Sequence, residues 1–367
     1  MKDINIAKTL AYKRKEKGIT QEELAKYIGV SKASVSKWET GQSYPDITFI
    51  PQLATYFNIS IDELMDYKPQ ISKEDIAKLY HELVQDLTFK PYDVVLNNCR
   101  EIVKKYYSCF PLVLQMAVFI FAHRDLSKNK DKIVSLILEA KELFTRVKKE
   151  SGDMYLIKQA HYMEASCYIA LEDAQSAIEL LGDVNKPHII SETLLATAYK
   201  MDGKINEAKY TLQVGIYQSI FSLFSFFPLY IMVCSHEPEK CDEILRRALL
   251  IEDAFNIKKL LPGVTMELYL IAAYIYVNNG NIEKSINMLN KFTELITNDI
   301  YKMTPHGDNF FDSMECWFDE LDLGRGLIKN EKTIKQDLIK LLFDNFEHSE
   351  FKEEYSFQKI IKNLKDL

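Results

Sequence analysis

The side chains that most often carry chemistry are thinly spread through these 367 residues. Six cysteines, at positions 99, 109, 167, 234, 241 and 316, show no paired spacing, and the seven histidines form no recognisable pairs. The nearest approach to a metal pattern is Cys234-Ser-His236 with Cys241. It lacks a fourth ligand close by, so the thiols read as reduced, buried core residues. Neither a P-loop, a G-x-S-x-G elbow, an H-E-x-x-H helix nor a glycine-rich phosphate loop is present. The sequence therefore predicts no enzyme, no metal and no cofactor. A different chemistry is on offer near the start. Lys32, Ala33, Ser34, Ser36 and Lys37 are small, polar or basic and fall on one face of a short segment. Such a face needs no apolar cover and can meet a polyanion.

The charge distribution agrees. Residues 1–45 hold 9 Lys and Arg against 5 Asp and Glu, a net of +4. The whole chain is −7, so the remainder carries −11. A basic tip on an acidic body confines polyanion contact to the tip. Scarce glycine (12) and proline (10) argue against a β-sandwich and for helices. The first residues lack an apolar signal region. The apolar run Ile216–Cys234 is interrupted by Gln218, three serines and Pro228. It is expected to be a buried helix pair broken at Pro228 rather than a membrane span. The expected setting is the cytoplasm, without membrane contact.

Short helices must position the basic face. Thr20 with Glu23 forms a capping box at a helix start. Leu24, Ala25 and Ile28 make its apolar side, and Gly29 ends it where a left-handed residue is easiest. Ser31 caps a second helix, Lys32 to Trp38, with Val35 and Trp38 inward. Two short helices joined by a glycine turn form a helix-turn-helix unit. Its polar outer face suits the major groove of duplex DNA. Ile4 to Lys17 reads as a preceding helix. Asp46 starts a following one with Ile47, Ile50, Leu53, Ala54 and Phe57 buried, and Ser60 with Glu63 caps a fifth. On the pattern Gln21-x3-Ala25-x3-Gly29-Val30-x4-Val35-x2-Trp38-Glu39-x-Gly41, residues 4–66 resemble the lambda-repressor/Cro-like (XRE) helix-turn-helix family. The resemblance implies that Gln21 sits on a backbone phosphate and that Lys32, Ala33, Ser34 and Lys37 face bases. It further implies that Thr40, Gln42 and Ser43 hold the phosphate backbone through side chains and amides, and that Arg14 pairs with Glu39. Ala33 departs from the Gln or Arg frequent at its position and offers only an apolar contact, such as to a thymine methyl.

Residues 67–71 read as a linker, and 72–367 as a second, all-helical domain. Three of its segments, 161–181, 192–212 and 269–289, repeat one pattern. The sets are Ala165/Tyr168/Ala177/Leu181, Ala196/Tyr199/Ala208/Leu212 and Ala273/Tyr276/Ser285/Leu289. They resemble tetratricopeptide (TPR) repeats, in which small residues let helices cross closely. A degenerate copy is expected at 223–248, earlier hairpins at 72–107 and 112–149, and capping helices near 331–345 and 351–365. The fold class is thus all-α, a five-helix DNA-binding head followed by a TPR-like α-solenoid. First helices of such a stack line its concave face. The candidates there are Gln159, Tyr162, Ser166, Thr193, Thr197, Lys200, Phe226, Tyr230, Glu267, Tyr274 and Asn278. Tyrosine and asparagine suit an extended peptide.

Head and body together resemble the peptide-sensing transcription regulators of Gram-positive bacteria often called RRNPP. That resemblance implies a homodimer on a two-fold site in double-stranded DNA, with a short peptide bound in the groove. Two alternatives remain open from sequence. The body could dock a protein or serve dimerisation alone, or the chain could be an adaptor that has lost DNA contact.

Overall fold

The structure is a computed structural model that describes residues 5–66, 71–182, 191–298, 302–346 and 354–365. The expected linker, apart from Ile71, lies outside the described residues. No strand occurs among the described residues; the fold is all-helical. The head comprises α1 (Ile6–Glu16), α2 (Gln21–Ile28), α3 (Lys32–Glu39), α4 (Ile50–Phe57) and α5 (Ile61–Leu64). They enclose a core of Ile6, Leu10, Leu24, Ala25, Ile28, Val35, Trp38, Leu53, Ala54 and Leu64. The Asn5 amide donates to the Met65 carbonyl (3.1 Å), joining the start of the head to its end.

One expected core residue of the head is outside. Ile47 is 79% exposed. Asp46 accepts from both the amide and the hydroxyl of Thr48 (3.0 and 2.6 Å), which winds residues 47–49 into a 3₁₀ turn. The tighter turn carries Ile47 into water and sets Phe49 against Trp38, ring centroids 5.8 Å apart.

The body follows as successive helix pairs. They are α6 (Lys73–Asp86) with α7 (Tyr92–Lys105), α8 (Phe110–Ala122) with α9 (Lys130–Glu150), and α10 (Met154–Ala170) with α11 (Ala174–Leu181). Then come α12 (Glu192–Met201), α13 (Ile205–Val233), α14 (Pro238–Phe255) and the short α15 (Ile257–Leu260). The pair α16 (Pro262–Asn278) and α17 (Ile282–Thr297) is followed by α18 (Glu315–Asp319), α19 (Glu331–Phe346) and α20 (Tyr355–Lys365). Two cores form. One runs through α6–α10 and includes Tyr80, Phe119 and Phe144. The other runs from α13 to α20 and includes Phe224, Phe292 and Phe318.

The small positions of the repeat pattern are all buried: Ala165, Ala177, Ala196, Ala208, Ala273 and Ser285. Where α16 crosses α17 the Ser285 hydroxyl donates to the Ala273 carbonyl at 2.8 Å. The fourth member fails in one repeat, since Leu212 is exposed. The cause is the course of α13. It is one helix of 29 residues, not a pair broken at Pro228. Ser219, Ser222 and Ser225 each donate their hydroxyl to the carbonyl four residues back (2.7–2.9 Å), so the serines are absorbed into the helix. Pro228 removes one backbone bond, a loss of about 3 kcal/mol in a helix interior. Its ring is buried between the turns carrying Phe224 and Ile231, and that packing offsets the loss. The helix therefore closes one pair with α12 and opens the next with α14. Of the described helices, α13 is the one long and apolar enough to cross a membrane by length and composition.

The crossing at Ala273 gives a direct test. Ala273→Leu should destabilise the protein by about 1–3 kcal/mol through overpacking. Urea unfolding followed by circular dichroism measures it, and Ala273→Ser should cost much less.

Candidate nucleic-acid interface

The turn between α2 and α3 is built by local chemistry. Thr20 accepts from the Glu23 amide (3.2 Å), and the Glu23 carboxylate accepts from the Thr20 amide (2.7 Å). Those bonds hold the Glu23 carboxyl below the usual glutamate range. Gly29 follows at φ +83°, in the left-handed region that a side chain strains to enter. The Ser31 hydroxyl accepts from the Ser34 amide at 3.1 Å and starts α3. Val35 and Trp38 then turn inward, and Ala25 on α2 is small enough for the two helices to touch.

What aims α3 is a polar cluster at its far end. Arg14 donates from Nε and Nη2 to the two carboxylate oxygens of Glu39, at 2.5 and 2.9 Å. Its Nη1 donates to the Ile19 carbonyl at 2.8 Å. Gln21 Nε2 adds a donor to Glu39 Oε2, at 2.8 Å. One guanidinium thus ties α1, the loop before α2 and the end of α3. The side chains of Arg14 and Glu39 are only 13% and 6% exposed. Burial alone would raise the Glu39 carboxyl, but the bonds from Arg14 and Gln21 outweigh it and hold it below its ordinary value.

The structure brings the expected DNA-facing residues together on this scaffold. Lys32, Ala33 and Lys37 are exposed along α3, and Ser34 is half-buried with its hydroxyl 2.8 Å from that of Ser31. Lys32 Nζ lies 3.5 Å from Glu22, a surface pair that exchanges readily with solvent. Thr40 donates its hydroxyl to the Ser36 carbonyl at 2.9 Å. The amides of Gln42 and Ser43 both donate to the Lys37 carbonyl (2.9 and 3.3 Å). Those two residues therefore offer side chains rather than free amides. Gln21 is half-buried against Glu39, and its single bond there leaves the second amide hydrogen of Nε2 unspent on Glu39. The role of Gln21 as a link between α2 and α3 was invisible in sequence, because its partner lies 18 residues away.

The concave-face candidates are distributed over α10, α12, α13 and α16. Tyr162, Lys200, Phe226 and Asn278 are exposed, as are Thr193, Tyr230 and Glu267. Ser166 and Thr197 turn their hydroxyls back onto their own helices, at 3.1 and 2.7 Å. Tyr274 is half-buried in the second core, 6.3 Å from the Phe346 ring. Gln159 is occupied by Asp322 of the same chain, at 2.7 Å. Near the cysteines, the Cys241 thiol donates to the Cys234 carbonyl at 3.1 Å and is pushed up in pKa by burial.

The head is a helix-turn-helix domain: residues 10–64 match the sequence profile of the helix-turn-helix family. The HTH-type transcriptional activator BcrR of Enterococcus faecalis is 32% identical over 74 residues, 18% of this chain and 36% of BcrR. The chain thus spans about a third of that relative's length. Two solved structures are similar at the level of whole-chain alignment. Bacillus thuringiensis PlcR, in complex with the peptide PapR7 and DNA, aligns over 80% of this chain and 96% of its own, with 17% identity and a TM-score of 0.30. The apo competence regulator ComR of Streptococcus vestibularis aligns over 88% and 99%, with 14% identity and a TM-score of 0.28.

Removing one partner of the buried pair isolates its contribution. Glu39→Ala should destabilise the head by about 3 kcal/mol, because it leaves the Arg14 guanidinium buried and unpaired. The pair also sets a pH dependence. The folded-state pKa of Glu39 lies below its unfolded value. Its stabilisation is therefore complete at neutral pH and drains away as the pH falls below about 4.3. A double substitution, Arg14→Met with Glu39→Met, should flatten that part of the acid-unfolding profile.

Proposed function

We propose that the protein is a cytoplasmic, DNA-binding transcription regulator that acts as a homodimer and responds to a short peptide. The observation that carries the reading is the outer face of α3. A buried ion pair clamps the helix, yet its exposed side is small, polar and basic, with none of the described residues of the body laid over Lys32, Ala33 or Lys37. A helix so fixed enters a major groove as a rigid body. Lys32, Ser34 and Lys37 then meet base edges and Ala33 meets a thymine methyl. Gln21, Gln42 and Ser43 hold the flanking phosphates through their side chains, and the Thr40 hydroxyl joins them by turning its proton from the Ser36 carbonyl to a phosphate.

Dimerisation has support in α13. Phe226, Leu229, Tyr230 and Val233 recur at helical spacing on the side opposite the buried Phe224, Pro228 and Ile231, and all four are exposed. An apolar stripe of that kind suits an antiparallel copy of itself across a two-fold axis. Phe226 and Tyr230, candidates for the groove by sequence, then belong to the contact between copies. A dimer in turn places two heads on two half-sites. A peptide in the concave face of the body would act by favouring one placement of the heads, to the extent that it binds that state more tightly.

Three measurements bear on this. The full-length protein should bind duplex DNA from upstream of its own gene, and small-peptide extract from the producing cells should change the affinity. Tight binding indifferent to every extract would remove the peptide. Lys32→Ala and Lys37→Ala should each weaken binding and lower the slope of log affinity against log salt by about 1, since each lysine releases about one counterion. Leu229→Asp with Val233→Asp should convert the dimer to a monomer in sedimentation velocity, while unchanged sedimentation of a dimer would place the interface elsewhere.

A further inference from the structure

Between α17 and α19 the chain leaves the second core and reaches the first. One end of this segment is anchored. Phe311, Met314 and Phe318 are fully buried, and Tyr217 on α13 packs edge-on against both phenylalanines at 5.4 and 5.3 Å. Gln213 binds it twice more, donating to Asp312 and accepting from the Ser313 amide, both at 2.8 Å.

The arm beyond, residues 319–328, is held in another way. It lies on α6 and α10, both first helices of their pairs and therefore on the side that a helix-pair stack presents as its concave face. Lys73 donates to the Glu320 carbonyl. His81 Nε2 lies 3.1 Å from the Leu323 carbonyl, which can only accept, so this nitrogen carries the proton. The Tyr80 hydroxyl donates to the Ile328 carbonyl at 3.1 Å. Asp322 is the one side chain read by charge: Gln159 donates to it at 2.7 Å and Lys73 stands 3.7 Å away. Leu323 beside it packs against the first core. Gly326 passes so close that a Cβ there would fall 1.9 Å from His81 Nε2.

Three of these contacts are to main-chain carbonyls, which every peptide owns, and the fourth is to one carboxylate. We propose that α6 and α10 form a peptide seat filled by the chain's own arm, and that the external ligand is a short peptide that presents an acidic residue followed by an apolar one on a turn, as Asp322 and Leu323 are presented here. The ligand takes the carbonyl, carboxylate and leucine positions, and the arm is released while its anchor stays in the second core. This rests on the peptide-responsive reading above and names the ligand's chemistry and its competitor. As a tethered occupant the arm competes at an effective concentration on the order of millimolar, so a free peptide binds the intact protein weakly.

The probe is a fluorescein-labelled synthetic peptide of residues 319–328, titrated by anisotropy into the full-length protein. Gly326→Ala, whose Cβ would collide with the His81 ring so that arm and ring must separate, should bind it at least tenfold more tightly than the unaltered chain. Asp322→Ala, which removes the carboxylate contact and leaves the glycine contact intact, should shift affinity in the same direction by a smaller factor. Adding Gln159→Ala to Gly326→Ala should reverse most of the gain. Equal affinity in all variants, or no binding by either loosened variant, overturns the proposal. Affinity for the upstream DNA, read on the same samples, separates the two ideas. A tightened peptide site with unchanged DNA affinity supports the seat and removes the gating.

Discussion

The whole molecule depends on how closely two helices can approach, and that distance is set by the smallest side chain at the crossing. Ala25 lets α2 meet α3 in the head. Ala165, Ala177, Ala196, Ala208, Ala273 and Ser285 do the same service in the body. A methyl or hydroxymethyl group at each point leaves room for the larger residues on either side to interlock. Where this spacing holds, neighbouring pairs share a continuous core. The crossing of α16 with α17 goes furthest, for there the Ser285 hydroxyl satisfies itself on the opposite backbone.

In the head, close approach alone would leave α3 free to roll about its own axis. The Arg14–Glu39 pair removes that freedom, since a bidentate bond fixes both distance and orientation. Gln21 completes it by donating one amide hydrogen to Glu39. The polar face of α3 is then presented by a buried electrostatic clamp rather than by its own packing. The backbone positions from which Lys32 and Lys37 extend are thereby fixed relative to the rest of the head.

The body is less uniform than a regular stack. Its cores lie in α6–α10 and α13–α20, and the intervening α11 and α12 bury little beyond Ala177 and Ala196. The 302–330 segment joins the two cores directly. Its apolar end resembles any core element, but its far end is held by carbonyl bonds from Lys73, Tyr80 and His81. Such bonds are geometrically specific and chemically exchangeable. A body built in two parts and bridged by an exchangeable contact is suited to altering the relation between its parts when something else takes that contact.

Much of this was legible in the chain itself. The capping box at Thr20, the left-handed turn at Gly29 and the cap at Ser31 are decided within four residues, so the helix-turn-helix unit stands out from its own sequence. The small–aromatic–small rhythm likewise marks where helices of the body must cross. Tertiary packing decided the rest. Pro228 and three serines suggested a break, yet a buried proline ring and hydroxyls bonded to their own helix keep α13 whole. Ile47 fits an apolar pattern, but Asp46 winds a tighter turn and Phe49 takes the place beside Trp38. Gln159, read as a groove residue, is met by Asp322 from 163 positions along the chain. Caps, turns and helix faces follow from neighbours in sequence, because their bonds close within one turn. Whether a face meets water, another helix or a distant loop is set by contacts that exist only once the chain has folded.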